Sequence, residues 1–232
     1  MTLSDRPSFK DRQDAGRRLA QALLPRAPDN PLVLGLPRGG VPVAHEVARA
    51  LGADLDVLFV RKLGAPGYEE LGIGAVIDGA HPQIVLNDEI VRQVAPSADY
   101  IQSETWRQLR EIERRRHLYL GERKPLSVAH RNVILVDDGI ATGGTVRAAL
   151  KGLRKAHAGK IVLAVPVAPA DTLHTLEGEC DEIVCLVSPD PFYAVGVHYA
   201  DFDQTSDEEV THLLATPPRN PAVTGGPVSH SP

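Results

Sequence analysis

The 232-residue sequence predicts an α/β domain, an open parallel sheet flanked by helices. Three observations predict it. Short continuous apolar runs such as "PLVLGL" (31–36) and "NVILVDD" (132–138) have the composition of strands covered on both faces. Amphipathic helical patterns separate these runs, so strand, turn, helix and strand recur as βαβ units. A hydrophobic fraction of 43% is enough for a real core and argues against global disorder.

The elements follow in order. "FKDRQDAGRRLAQALL" (9–24) sets Ala15, Leu19 and Leu23 at helical spacing and predicts a first amphipathic helix. The strand at 31–36 leads through "PRGG" into "VPVAHEVARALG" (41–52), a helix closed by Gly52. "DLDVLFV" (54–60) is the next strand. The glycines and proline of "RKLGAPGYEELGIGAVIDG" (61–79) predict a mobile loop running into a short strand near 72–77, with "PQIVLN" (82–87) as its hairpin partner. A long helix rich in Arg and Glu covers 97–120, with Ile101, Leu109, Ile112 and Leu120 as its apolar members. "NVILVDD" resumes the parallel sheet, and "GGTVRAALKGLRKAHA" is its crossover helix. "KIVLAVPVA" and "DEIVCLV" are two further strands around helix "ADTLHTLEG". "PFYAVGVHYADF" (191–202) reads as an extended segment at the sheet edge, and "TSDEEVTHLLA" as a capped closing helix. One domain over 1–216 is expected, with a disordered tail over 217–232, whose Pro- and Gly-rich text cannot build a core.

Charge and special residues exclude several classes. A formal net charge of −5 gives no general attraction for nucleic acid or anionic membrane. The two cysteines, Cys180 and Cys185, match no disulfide framework or zinc motif and read as small apolar residues in or beside a strand. Nine scattered histidines form no HExxH pair. The N-terminal stretch has no apolar segment resembling a signal peptide, and no run approaches the roughly 20 apolar residues of a membrane span, so a cytoplasmic location is expected.

Asp137 and Asp138 stand where an open parallel sheet binds its ligands, at the carboxyl end of a strand. "ATGGT" (141–145) then turns into a helix whose free N–H groups and dipole favour an anion. Gly143 and Gly144 let backbone approach a phosphate, and Thr142 and Thr145 offer hydroxyls. Two carboxylates would repel that phosphate unless they faced other groups, such as the vicinal hydroxyls of a sugar or hydrated magnesium. A sugar phosphate accounts for the whole string. Neither a Walker P-loop nor a GxGxxG fingerprint is present.

This string resembles the sugar-phosphate signature of the type I phosphoribosyltransferases, and the resemblance extends over most of residues 10–213. It implies the fold of that family, with a small hood formed by the N-terminal helix and residues 187–203, and with the long helix as an insertion. It implies that Asp137 and Asp138 hold the ribose hydroxyls of phosphoribosyl pyrophosphate while Ala141, Thr142, Gly143, Gly144 and Thr145 wrap its 5′-phosphate. "GLPRGGVPVA" (35–44) resembles the pyrophosphate loop, with Arg38 as its cation and Gly39 and Gly40 permitting close approach. Lys62, in preference to Arg61, is the basic residue that meets pyrophosphate, and "APGYEELGIGAV" the lid, in which Glu69 and Glu70 either help to position magnesium or, the favoured reading, are solvated. Phe192 matches the aromatic residue that stacks on the base, and Asp201 the later acid that joins Asp137 and Asp138 near Mg²⁺. The implied activity is Mg²⁺-dependent phosphoribosyl transfer to a nitrogen acceptor, a purine or pyrimidine base, by a homodimer.

Two other readings remain open at this point. A regulatory protein would use the same fold to sense phosphoribosyl pyrophosphate or a nucleotide, with RNA meeting Arg107, Arg110, Arg114, Arg115 and Arg116; interleaved glutamates instead favour a solvated helix held by i,i+4 pairs. A hydrolase acting on a phosphorylated sugar would let water replace the base. His45 and His198 are potential proton donors, with core or surface positions the commoner use of such residues.

Overall fold

The computed structural model describes residues 7–215, so the expected tail from 217 onward lies outside them. Five strands, β1 (Leu32–Gly35), β2 (Asp54–Val57), β6 (Val133–Val136), β7 (Ile161–Val167) and β8 (Glu182–Val187), form one parallel sheet in the order β2-β1-β6-β7-β8. The chain winds outward in one direction from β1 to β2 and in the other from β6 to β8. The topological switch point therefore falls between β1 and β6, where Gly35 pairs with Val136.

Alternation along these strands explains their unbroken apolar sequences. Val33, Ile134, Val136, Val162 and Ala164 face a core shared with helices α1 (Arg12–Leu23), α2 (Gly40–Leu51), α4 (Ala98–Leu120) and α7 (Asp207–Ala215). Leu32, Leu34, Val133, Leu135, Ile161 and Leu163 face the opposite core, closed by α5 (Gly144–Lys155) and α6 (Ala170–Leu176). The central strands are thus apolar on both faces, and the buried Asp56 of β2 is held only with a buried cation as partner. Gly52 ends α2 at φ +61°, the left-handed conformation expected of a helix-closing glycine.

The central segment departs from expectation. The strand at 54–60 stops at Val57, and β3 (Val60–Ala65) begins a second sheet. β3, β4 (Tyr68–Ile77) and β5 (Gln83–Leu86) form an antiparallel sheet, so the stretch expected to be a mobile loop is a hairpin, while the β4–β5 pairing is as expected. Its glycines serve close strand packing. A Cβ on Gly74 would lie 2.4 Å from the Val85 carbonyl oxygen, and one on Gly64 would lie 2.8 Å from Glu69 Cα. A short helix, α3 (Asp88–Val94), capped by Asn87, precedes α4 and was not expected.

Helix α4 is not solvated all round. Arg116 is buried and donates to Asp56 Oδ2 at 2.9 Å and Asp78 Oδ2 at 2.6 Å, clamping the end of β2, the end of β4 and α4 together. Burial pushes the Asp78 carboxyl up from its ordinary value, against the pull of Arg116. Of the expected i,i+4 pairs, Arg115 with Glu111 is one, whereas Arg107 with Glu104 and Arg114 with Glu111 pair at i,i+3.

The segment 191–202 is not an edge strand. It carries a 3₁₀ turn at Val195–His198 and a single parallel bridge between Phe9 and Tyr199. Phe9, Ala15, Val167 and Tyr199 make a third, smaller core with Phe192, Val195 and Phe202 packed against it. The hood thus unites the start of the chain with residues 191–202. Tyr193 points to solvent and is 80% exposed.

Candidate active site

The loops after β1 and β6 meet at the switch point, and they need each other's backbone. Leu36 N–H donates to the Val136 carbonyl at 2.9 Å. A Cβ on Gly40 would lie 2.8 Å from the Val136 carbonyl oxygen, and one on Gly39 only 2.0 Å from Asp138 Oδ2. These glycines therefore let the loop seat directly on the carboxylates, a tighter reason for "RGG" than room for a ligand. The Pro37–Arg38 peptide within this loop is cis.

Asp138 is fastened from several elements. Its backbone N–H donates to Asp137 Oδ1 at 2.9 Å, Tyr199 Oη donates to its carbonyl at 2.6 Å, and Arg12 Nε donates to its Oδ2 at 2.8 Å. Arg12 also donates to the Asp203 carbonyl at 2.7 Å and lies over the Phe202 ring, 4.0 Å from its centroid. One guanidinium thereby ties α1 and the hood to the acidic pair. Burial raises Asp137 well above its ordinary value, the Asp138 charge adds to the rise, and Arg12 opposes it. Burial likewise raises the Tyr199 hydroxyl, with the Asp138 charge second. Arg12 and Tyr199 are the site residues that sequence reasoning missed. Arg12 lies 126 positions from its partner, and no local pattern links them.

Beyond the pair, Gly143 takes φ +75° and starts α5 without a side-chain cap, leaving the first-turn amides without intrahelical partners. Ala141, Thr142, Gly144 and Thr145 are exposed, and a Cβ built on Gly144 would meet nothing within 4 Å. The expected anion cradle is thus an uncapped helix start facing open space, beside two carboxylates.

The other expected residues are placed differently. Arg38 leans to α7, its Nη1 3.6 Å from Asp207 Oδ1, which also accepts from Tyr119 Oη at 2.6 Å. Lys62 lies on β3 and donates to the Glu70 carbonyl at 2.9 Å and to Glu70 Oε2 at 3.1 Å. No hydrogen bond or ion pair among the described residues joins Lys62 to the acidic pair. Glu70, expected to be solvated, does have a 98% exposed side chain even with this contact. Phe192 is half-buried and stacked on His198, with ring centroids 5.8 Å apart. His198, lowered by burial, keeps its Nε2 buried without a partner, and His45 Nδ1 meets the Leu213 carbonyl at 3.1 Å. Asp201 is exposed, and its Oδ1 accepts from Asp203 N–H at 3.2 Å.

Among the described residues, no three His, Cys, Asp or Glu side chains are grouped to hold a metal ion. At the switch point, Asp137 and Asp138 supply carboxylate oxygens. That set suits Mg²⁺, which is commonly bound through one or two carboxylates with water and substrate oxygens completing the shell. Asp201 is not drawn into such a set.

A family model for the phosphoribosyl transferase domain matches residues 8–201. The chain belongs to that family. Two phosphoribosyl transferases of Mycobacterium tuberculosis, provisionally so named, are similar to it: Rv0571c of strain H37Rv and MT0597 of strain CDC 1551. Each is 48% identical over 206 residues, which is 89% of this chain and 46% of the relative. The chain thus spans about half the length of these curated relatives. The crystal structure of TT1426 from Thermus thermophilus is 43% identical, covers 89% of this chain and 97% of its own, and superposes with a TM-score of 0.78. A sheet with this order, flanked by helices and completed by a hood, is the phosphoribosyltransferase fold. No helix among the described residues is long and apolar enough to cross a membrane.

Proposed function

We propose that this phosphoribosyl transferase domain moves the 5-phosphoribosyl group from phosphoribosyl pyrophosphate to a nitrogen of an acceptor base, with Mg²⁺, and releases pyrophosphate. The observation that carries the reading is the switch-point arrangement: two carboxylates followed at once by an uncapped, unobstructed helix start. The amides and hydroxyls of residues 141–145 suit a 5′-phosphate. The acidic pair suits the hydroxyls of a ribose carried on that phosphate.

In this mechanism the bond from carbon 1 to the pyrophosphate oxygen breaks while the bond from carbon 1 to the acceptor nitrogen forms, and the acceptor's proton passes to solvent. The carboxylates hold the ribose as carbon 1 gains positive charge. Arg38 and Lys62 would swing from Asp207 and Glu70 to the leaving group, exchanges eased by the exposed position of Lys62 and the half-exposed one of Arg38. Mg²⁺, when held by Asp137 and Asp138 with substrate oxygens, supplies further neutralisation of pyrophosphate. The hood, through Phe192, offers the acceptor an aromatic face. Fastening of the hood to Asp138 by Arg12 and Tyr199 would set the distance between the two substrates.

The test is ³¹P NMR of the protein with phosphoribosyl pyrophosphate, Mg²⁺ and single bases, with Asp137→Asn as control. Pyrophosphate release that requires one particular base and fails in the variant supports the transferase. Release without any base means a hydrolase, and binding without turnover means a sensor; either result rejects the proposal.

A further inference from the structure

A second concavity, whose lining includes neither member of the acidic pair, opens where β3 meets α4. It has a volume of about 400 Å³ and is lined by Arg61, Arg107, Gln108, Arg110, Glu111 and Arg114. Four guanidiniums in one hollow of a chain whose net charge is −5 need a reason. Glu104 and Glu111 account for part of it. Arg107 makes two hydrogen bonds to Glu104, and Arg114 two to Glu111, which Arg115 also meets. Among the described residues, neither Arg107 nor Arg114 hydrogen-bonds through Nη1.

The other two arginines form no ion pair among the described residues. Arg61 is half-buried, yet its one hydrogen bond runs from Nε to Gln108 Oε1 at 3.0 Å, and no carboxylate lies within ion-pair distance among the described residues. Buried Gln108 is itself locked to Glu104 at 2.7 Å, so it holds Arg61 at the base of the hollow. Arg110 is exposed and makes no hydrogen bond or ion pair among the described residues. The lining itself sets four guanidiniums (Arg61, Arg107, Arg110, Arg114) against one carboxylate, Glu111, with Glu104 and Glu69 meeting Arg107 from beside it.

We infer that this hollow is a second anion site, which binds the phosphate chain of a small diphosphate or triphosphate. Guanidinium forks match phosphate oxygens in pairs, and the volume lies within the range of small-molecule sites. An extended nucleic acid fits less well. Arg107 to Arg114 span only about 10 Å of helix axis, and Glu69, Glu104 and Glu111 interrupt the positive face. Arg107 also stands 3.9 Å from Glu69 in the hairpin that carries Lys62, so an occupant drawing on Arg107 would act next to the hairpin.

The chain's single tryptophan, Trp106, is exposed on α4 one residue before Arg107 and four before Arg110, and it reports locally on this site. Its fluorescence would be followed while inorganic tripolyphosphate, ATP and a single-stranded oligonucleotide are titrated in turn at about 0.15 M salt. The expected result is saturable quenching by tripolyphosphate, weakened at least roughly tenfold by Arg110→Glu and by Arg61→Gln, and unchanged by Gly144→Val at the switch point. Equal affinity for ATP and tripolyphosphate means that the phosphate chain alone is recognised; tighter ATP means that the nucleoside adds contacts. Both support the site. It is overturned if quenching is absent at this salt, if the Arg110 and Arg61 variants titrate like wild type, if Gly144→Val abolishes it, or if the oligonucleotide binds more tightly than either phosphate. These outcomes do not depend on catalysis, so they stand apart from success or failure of the proposed transfer.

Discussion

Replacement of Gly144 by valine separates a ligand-binding role from a structural one. Gly144 is the first residue of α5, lies outside the left-handed backbone region, and a Cβ there would meet nothing within 4 Å. Folding therefore has no clash to absorb, and valine is no worse a helix former than glycine, so stability should stay within about 0.5 kcal/mol of wild type. The same open space is where a phosphate would approach the first-turn amides at roughly 2.7–3.2 Å. An isopropyl group fills it. Loss of two charge-assisted hydrogen bonds at about 1.5–3 kcal/mol each weakens binding by roughly 10²- to 10⁴-fold. Isothermal titration with phosphoribosyl pyrophosphate and Mg²⁺, alongside urea unfolding of both proteins, reads the two quantities separately. A valine variant that is equally stable and binds within about threefold of wild type would refute the phosphate placement.

Four further outcomes are expected. Gly39→Ala should cost about 1–3 kcal/mol in urea unfolding, because its Cβ would sit 2.0 Å from Asp138 Oδ2; a fully stable variant would show that the loop is not seated on the carboxylate. Lys62→Met should lower kcat/KM by about 10²-fold if the amine leaves Glu70 for pyrophosphate, and an unchanged value removes it from the site. Arg116→Met leaves buried Asp78 and Asp56 facing each other without their shared cation, and should destabilise by about 3–5 kcal/mol; a loss below about 1 kcal/mol would mean that Arg123 and backbone donors suffice. Burial, then the hydrogen bond to Asp207, pushes the Tyr119 hydroxyl up to about 12. Its raised folded-state value means that its contribution is complete below pH 10 and lost as pH rises through 12, so Tyr119→Phe should reduce the fall in stability across that window.

The parallel sheet was legible because each central strand is dry on both faces, and such strands cannot hide among polar residues. The acidic pair with its glycine turn was legible because its neighbours in sequence are its neighbours in space. Legibility failed where contacts are remote or where glycine has two uses. Residues 60–77 hold enough glycine to suggest a loop, yet Gly64 and Gly74 are there because hairpin strands approach too closely for a Cβ. The α4 arginines look alike in sequence. Only Arg116 shares the stripe of Thr105, Gln108, Ile112 and Tyr119 that turns inward, and the carboxylates that hold it belong to other elements. That stripe was available as a signal; the identity of its partners was not.

The two adjacent carboxylates are not equivalent, although their sequence makes them look so. Asp138 has one oxygen against Arg12 and under Gly39, its carbonyl on Tyr199, and its amide on Asp137. It joins the loop after β1, the end of β6, α1 and the hood, so its removal should loosen the architecture as well as the site. Asp137 accepts the Asp138 amide within the pair but has no guanidinium of its own within ion-pair distance among the described residues. One cation for two carboxylates leaves an uncompensated charge at the switch point. Burial makes that charge costly, which is why the Asp137 carboxyl is driven up. A ligand that brings hydroxyl donors or a divalent cation there would relieve the cost. Under the proposed function, Asp138 would hold the frame while Asp137 would meet the ligand.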